Sequence, residues 1–263
     1  MKIDRVILST NNNPTYYQFW NPLSKVYKEN FGITPTLIFL GSEKELEGLP
    51  LSREFGDIIR QDIVPSKDVS WTTTWALFYF TKNFPNEVCL INGIDQIPMG
   101  SKFLIDYIKE INENKYVMLI DDAYKLMMGR KDWSEGGHSP SAYHIAKGET
   151  FNKVYSFEDT FEAEIKKIES IKLNSMWGTW GMDEAYSSQV LYNKKNEIEI
   201  ECLSKFGEIL NGGRIDCHRS LEVPFNLDTL KNNGYIECHS CRPYLNHKKY
   251  YLDSIFDNVP KFV

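Results

Sequence analysis

The chain has 263 residues, 42% of them hydrophobic and 25% charged, with a formal charge of −6 at pH 7. That balance belongs to an ordinary globular chain and excludes collagen, coiled coil and disorder; a chain this long buries enough apolar surface to need no disulfide or metal staple. A mildly acidic molecule with no evident basic face is repelled by phosphate backbones, so no nucleic-acid partner is expected.

Arg5–Thr10 is an apolar run that stops at the polar cluster Asn11–Pro14, which predicts a buried strand. Tyr16, Phe19, Trp20, Leu23 and Tyr27 then fall at helical spacing. Strands are predicted at Thr34–Leu40 and Asp57–Val64, a helix over Trp71–Phe84 ended by Pro85, and a short apolar strand over Glu87–Asn92 that runs into the turn Gly93–Pro98. Ser101 is a candidate cap for a helix with Leu104, Ile108 and Ile111 on its inner face, and Tyr116–Ile120 is a strand ending at Asp121-Asp122. Strands alternating with helices imply a parallel or mixed sheet covered on both sides.

Beyond about residue 125 the pattern loosens into the Gly-rich loop Gly129–Pro140 and the polar segment Ser141–Gly148. Ser156 with Asp159 then reads as a capping box before the apolar stripe Phe161, Ile165, Ile168 and Ile171. Trp177–Gly181 is a loop, and Met182–Tyr192 a helix opening on Asp183 and Glu184. No repeat or linker divides the chain, so one domain is expected, with a regular half over 1–125 and a decorated half over 126–263. Ligands of open α/β sheets sit at the carboxyl ends of strands, which here carry Ser9–Asn13, Asn92–Asp95 and Asp121-Asp122.

The longest unbroken apolar run is the six residues Trp75–Phe80, short of a membrane span, and Val6–Leu8 is short for a signal-peptide core. A cytoplasmic protein is expected. Five irregularly spaced cysteines argue against a secreted disulfide framework. Aromatic residues reach 14%, many beside polar residues in turn-like stretches, as suits a sugar or nucleoside partner.

Three constellations carry possible chemistry. Val88–Pro98 delivers Asp95 at a strand exit, where a turn also favours aspartate. Trp177–Glu184 sets two carboxylates after a Trp-walled loop; a helix start favours them there too, through its dipole. Arg214–Arg219 with Cys238–Pro243 is the densest set of cations and possible ligands. Cys217, His218, Cys238 and Cys241 could alternatively close a structural zinc site, although adjacent Cys217 and His218 seldom bind one ion together. No Gly-x-Gly-x-x-Gly follows the first strand, which disfavours a dinucleotide enzyme.

The segments VCLINGIDQIP, SAYHIAKGETF, WGTWGMDEAY, RIDCHR and CHSCRPY stand in an order that resembles small GT-A-fold glycosyltransferases of bacteria and large DNA viruses, over roughly residues 4–255. The resemblance implies a Rossmann-like mixed sheet with an irregular acceptor-side second half, a nucleotide-sugar donor, usually UDP-linked, and a glycan or glycoconjugate acceptor. It implies an Asp-x-Asp turn holding Mn²⁺ or Mg²⁺ with a late histidine, mapped onto Asp95 and His239; Gly93 replaces the first Asp, which weakens the metal reading. Arg242, Arg219 or Arg214 could then counter the diphosphate instead.

By the same resemblance Asp183 and Glu184 are the catalytic candidates, one of them a base if the reaction inverts, and Tyr143, His144 and Lys147 line the acceptor side with Trp177 and Trp180. Ser9, Thr10, Asn11, Asn92 and Gly93 are assigned to the donor, with Trp71 or Tyr16 as a stacking face. Inversion or retention, the sugar, and the oligomeric state stay open. A binding protein that keeps the fold without turnover is the alternative.

Overall fold

The computed structural model describes residues 1–66, 68–216, 226–239, 242–247 and 252–263. Seven strands form a mixed sheet: β1 (Arg5–Asn11), β2 (Thr34–Leu40), β3 (Asp57–Gln61), β4 (Val88–Ile91), β6 (Tyr116–Met118), β7 (His144–Lys147) and β8 (Ile200–Cys202), in the order β3-β2-β1-β4-β7-β6-β8. β5 (Gln96–Pro98), β9 (Arg214–Asp216) and β10 (Glu237–His239) make a second sheet in the order β5-β10-β9. Strands β3, β2, β1 and β4 run parallel, and β7 lies antiparallel between β4 and β6. The α/β class and the mixed, helix-covered sheet expected from the sequence are present.

The apolar runs explain the layers. Strand side chains alternate in direction, so Val6, Leu8, Leu37, Phe39 and Leu90 pack into one core while Ile7, Ile38, Leu40, Cys89 and Ile91 pack into the other. Both faces of the central strands are therefore covered, which is why they read as unbroken apolar runs. The first core draws on residues from Ile3 to Val259, and the second on the aromatic helix Val69–Tyr79.

Several local expectations shift. The helix predicted to start at Trp71 begins at Val69, because Asp68 accepts a hydrogen bond from the Ser70 N–H at 2.8 Å. It tightens into a 3₁₀ turn over Phe80–Asn83 before Pro85. Ser101 does not cap a regular helix; its backbone is already helical, its hydroxyl meets Asp106 at 2.5 Å, and Lys102–Asp106 is a π-helical turn. The cap of helix Phe161–Ser170 is Thr160, whose Oγ1 accepts from the Ala163 N–H at 3.2 Å, while Ser156 ends the preceding helix in a left-handed conformation.

Strand β7 lies within the segment Ser141–Gly148 that reads as polar, and the helix Gly148–Tyr155 fills the stretch after it, to which the sequence assigns no element. Gly148 is where they join: a Cβ there would stand 2.3 Å from the Thr81 carbonyl oxygen and 2.4 Å from that of Phe84. Only glycine allows the chain to pass so close. Among the described residues, no helix is long and apolar enough to cross a membrane.

Candidate functional site

The carboxyl ends of β1 and β4 open onto one edge of the main sheet. Ser9 and Thr10 are buried there; Asn11 turns its side-chain oxygen onto the Asn13 N–H at 3.0 Å, and Asn13 caps the turn of helix that carries Tyr16. A run of asparagines is the chemistry of such turns, since each amide can replace a backbone acceptor. From β4 the chain passes through Asn92 and Gly93 to Asp95 and then enters β5.

The second sheet completes this edge. In the antiparallel pairing of β5 with β10, His239 lies opposite Gln96, which brings a residue from near the C-terminus next to Asp95. The Oδ2 of Asp95 is 3.3 Å from His239 Nε2 and 3.2 Å from Arg242 Nη1. Arg242 Nη1 also donates to Tyr16 Oη at 2.7 Å, with the guanidinium carbon 5.2 Å from the Tyr16 ring centroid. Burial alone would raise the Asp95 carboxyl, but the hydrogen bond and charge of His239 and the charge of Arg242 bring it below the usual carboxylate range.

Around this cluster the backbone is closely fitted. The Gly93 N–H donates to Gln96 Oε1 at 3.1 Å, and Asn92 Nδ2 donates to Tyr27 Oη at 2.9 Å. Beneath it, Tyr143 Oη donates to Glu237, which also faces Arg214 Nε at 3.0 Å. Glu237 and His239 are two apart on β10 and so share a face of the strand.

A second acidic group lies on the same edge of the sheet. Ser141 precedes Tyr143, whose N–H bonds to the Ile91 carbonyl at the end of β4, and Tyr124 follows the end of β6. Ser141 Oγ donates to Asp183 Oδ2 at 2.5 Å, and Tyr124 Oη donates to Glu184 Oε1 at 2.6 Å. Both carboxyls are held above their ordinary range. Burial is the main cause in each, and for Glu184 the adjacent Asp183 charge adds to it. Trp177 borders this pair, its ring 6.3 Å from that of Tyr124 and 6.4 Å from that of Trp180. Trp177 and Trp180 are 39% and 56% exposed, so their faces remain open to a partner.

Asp95, His239, Arg242 and Tyr16 thus come together, as do Asp183, Glu184 and Trp177, while other sequence candidates lie elsewhere. Trp71 is fully buried in the second core and presents no stacking face. His144 is buried between Tyr116 Oη and the Pro140 carbonyl, at 2.7 Å from each, and burial lowers its pKa to about 4. Tyr143 is 1% exposed. Lys147 sits opposite Val88, at the far end of β4, and pairs with Glu113 at 2.5 Å. Tyr124 and Ser141 are not singled out by the sequence, although Tyr124 stands two residues after the strand-end pair Asp121-Asp122.

Of the alternative zinc ligands, Cys217, His218 and Cys241 lie outside the described residues, as does Arg219. Cys238 is buried in the first core. The divalent cation expected at Asp95 and His239 is a poor fit to the donors that surround it. Asp95 Oδ2 already faces a guanidinium, Gly93 offers no side-chain ligand, and no group of three or more His, Cys, Asp or Glu suited to a metal occurs among the described residues.

No protein-family model matches the sequence, and no curated protein matches it. Solved structures are similar in fold. The glycosyltransferase GlyE of Streptococcus pneumoniae TIGR4 is 11% identical, with 98% of this chain and 63% of that one covered and a TM-score of 0.48. The galactosyltransferase LgtC, in complex with donor and acceptor sugar analogues, is 10% identical over 97% of this chain and 95% of its own, with a TM-score of 0.48. The bifunctional glycosyltransferase WbbM is 9% identical over 98% of this chain, with a TM-score of 0.48, and the chain spans half of its length.

Proposed function

We propose that the protein transfers a sugar from a nucleoside diphosphate, with UDP as the carrier, to a hydroxyl of a glycan or glycoconjugate. The observation that carries this reading is the Asp95–His239–Arg242 cluster at the carboxyl ends of β1 and β4. A guanidinium and an imidazole held by one buried carboxylate gather nitrogen donors at this edge of an acidic protein, and a guanidinium matches phosphate oxygens in charge and geometry. The ends of β1, with Ser9, Thr10 and Asn11, supply hydroxyl and amide groups for the base and ribose, and the motif order of the sequence agrees.

The acceptor is assigned to Asp183 and Glu184, with Trp177 and Trp180 offering ring faces to the apolar side of a sugar. In transfer, the bond from the anomeric carbon to the diphosphate oxygen breaks and a bond to the acceptor oxygen forms; the acceptor proton must leave. Burial makes the ionised Glu184 carboxylate more basic while lowering the fraction ionised at neutral pH, and in its ionised form Glu184 is the group assigned to take the proton if the anomeric centre inverts. Its hydrogen bond from Tyr124 fixes the carboxylate's orientation.

A thermal-shift panel of nucleotides and UDP-sugars, followed by a UDP-release assay with the sugars that bind, tests the reading. A ligand that binds the folded chain raises the melting temperature by mass action. UDP or a UDP-sugar is expected to raise it, and Asp95→Ala to remove the effect. A shift without release of UDP from any sugar would reduce the protein to a binder, and no shift with any nucleotide would end the reading.

A further inference from the structure

We propose that the donor's diphosphate is neutralised in this protein by the Arg242 guanidinium, with the His239 imidazole beside it, and that binding needs no divalent cation. The inference rests on the donor reading given above and specifies how that site handles charge.

Three observations carry it. First, protein ligands are few among the described residues. Mn²⁺ and Mg²⁺ seek about six oxygen donors, counting water and phosphate, and among the described residues Asp95 is the one carboxylate that the β4 exit supplies. Gly93 supplies no side-chain ligand, and a Cβ there would stand 2.8 Å from Gln96 Oε1 and 3.1 Å from Asp95 Oδ1, so the space beside it is occupied by those two side-chain ends. The Asn92 amide is anchored through its Nδ2, which donates to Tyr27 Oη and the Gln96 carbonyl.

Second, the place beside Asp95 is taken. Its Oδ2 faces both His239 Nε2 and Arg242 Nη1, and Arg242 is tethered by Tyr16 through its hydroxyl and over its ring. A dication on that oxygen would sit against a fixed guanidinium and be repelled by it. Third, His239 and Arg242 are more open than Asp95. The side chains of His239 and Arg242 are 22% and 18% exposed, against 11% for Asp95. The groups an incoming diphosphate needs are the ones it can reach.

The test is calorimetric titration of the full chain with UDP in excess EDTA and again in Mn²⁺ or Mg²⁺, beside a titration with Mn²⁺ alone. The expected result is a UDP affinity equal within about twofold in all buffers. Arg242→Ala should weaken it on the order of tenfold or more, and Arg242→Lys should restore part of the loss. UDP binding that vanishes in EDTA and returns with Mn²⁺ would overturn the inference and leave the donor reading standing. So would stoichiometric binding of Mn²⁺ alone that Asp95→Asn abolishes, a result that does not depend on the Arg242 variants folding. UDP affinity unchanged in Arg242→Ala also overturns it. No UDP binding in any buffer removes the donor reading and the inference together.

Discussion

The Nε2 of His239 stands 3.3 Å from the Oδ2 of Asp95, and the pairing of β10 with β5 is what holds it there. Asp95 is 8% exposed, so its charge depends on that neighbour and on Arg242. The carboxyl's folded pKa lies below its unfolded value of about 3.9. A depressed carboxylate contributes stability that is present above the unfolded pKa and is lost as pH falls through the folded one. Asp95→Asn should therefore cost about 1–3 kcal/mol at pH 7. In urea unfolding, the gap between variant and parent should narrow below about pH 4. A gap that stays constant to acid pH would show that the carboxylate is not stabilised by its neighbours.

Below that cluster, Tyr143 tests whether the buried carboxylate of β10 holds the second sheet in place. Its hydroxyl donates to Glu237, which also faces Arg214, and removing one partner of a buried charge leaves the rest undercompensated. Tyr143→Phe is expected to lose about 1–3 kcal/mol in chemical denaturation. Acceptor KM should not change, because the ring is buried and reaches no open surface. An unchanged denaturation midpoint would show that the network is neutral to stability.

How much of this was legible in the sequence follows from what periodicity records. The central strands were readable because burial on both faces leaves an apolar run, as in Val6-Ile-Leu8 and Leu37-Ile-Phe-Leu40. Strand β7 was not, because His144 satisfies its ring inside the core through Tyr116 and Pro140, and Lys147 ends the strand in an ion pair with Glu113; a buried hydrogen-bonded histidine looks polar on paper. The pairing of Asp95 with His239 was suggested only by family resemblance. No local pattern announces the three-residue strands β5 and β10 that create it. Trp71 does not serve as a stacking face: its place at a helix start fits either a donor-side ring or the core face of that helix, and the structure buries it in the second core.

Trp180 separates recognition from stability. At 56% exposure it contributes little buried area, so Trp180→Ala should change the unfolding free energy by less than about 0.5 kcal/mol. If its ring face receives the acceptor, KM for that acceptor should rise by roughly tenfold with donor affinity unchanged. Equal KM values in variant and parent would take the ring out of the acceptor site.

Glu184 offers the sharpest contrast between a base and a structural acid. Burial, reinforced by the Asp183 charge, holds its carboxyl above the usual range. An acid whose folded pKa exceeds its unfolded value contributes stability below the unfolded pKa, about 4.3 for glutamate, and loses it as pH rises through the folded pKa. Glu184→Gln keeps an oxygen to accept the Tyr124 hydroxyl while removing the titration. The variant should therefore gain on the parent as pH rises from acid to neutral and beyond, measured as the urea midpoint across that range. If Glu184 takes the acceptor proton, the same variant should lose on the order of 100-fold in turnover. Its donor KM should stay near that of the parent if, as proposed, the carboxylate serves the acceptor. A stabilised variant that turns over normally would make Glu184 a buried acid of the fold alone, and the proton would need another acceptor, with Asp183 the adjacent candidate.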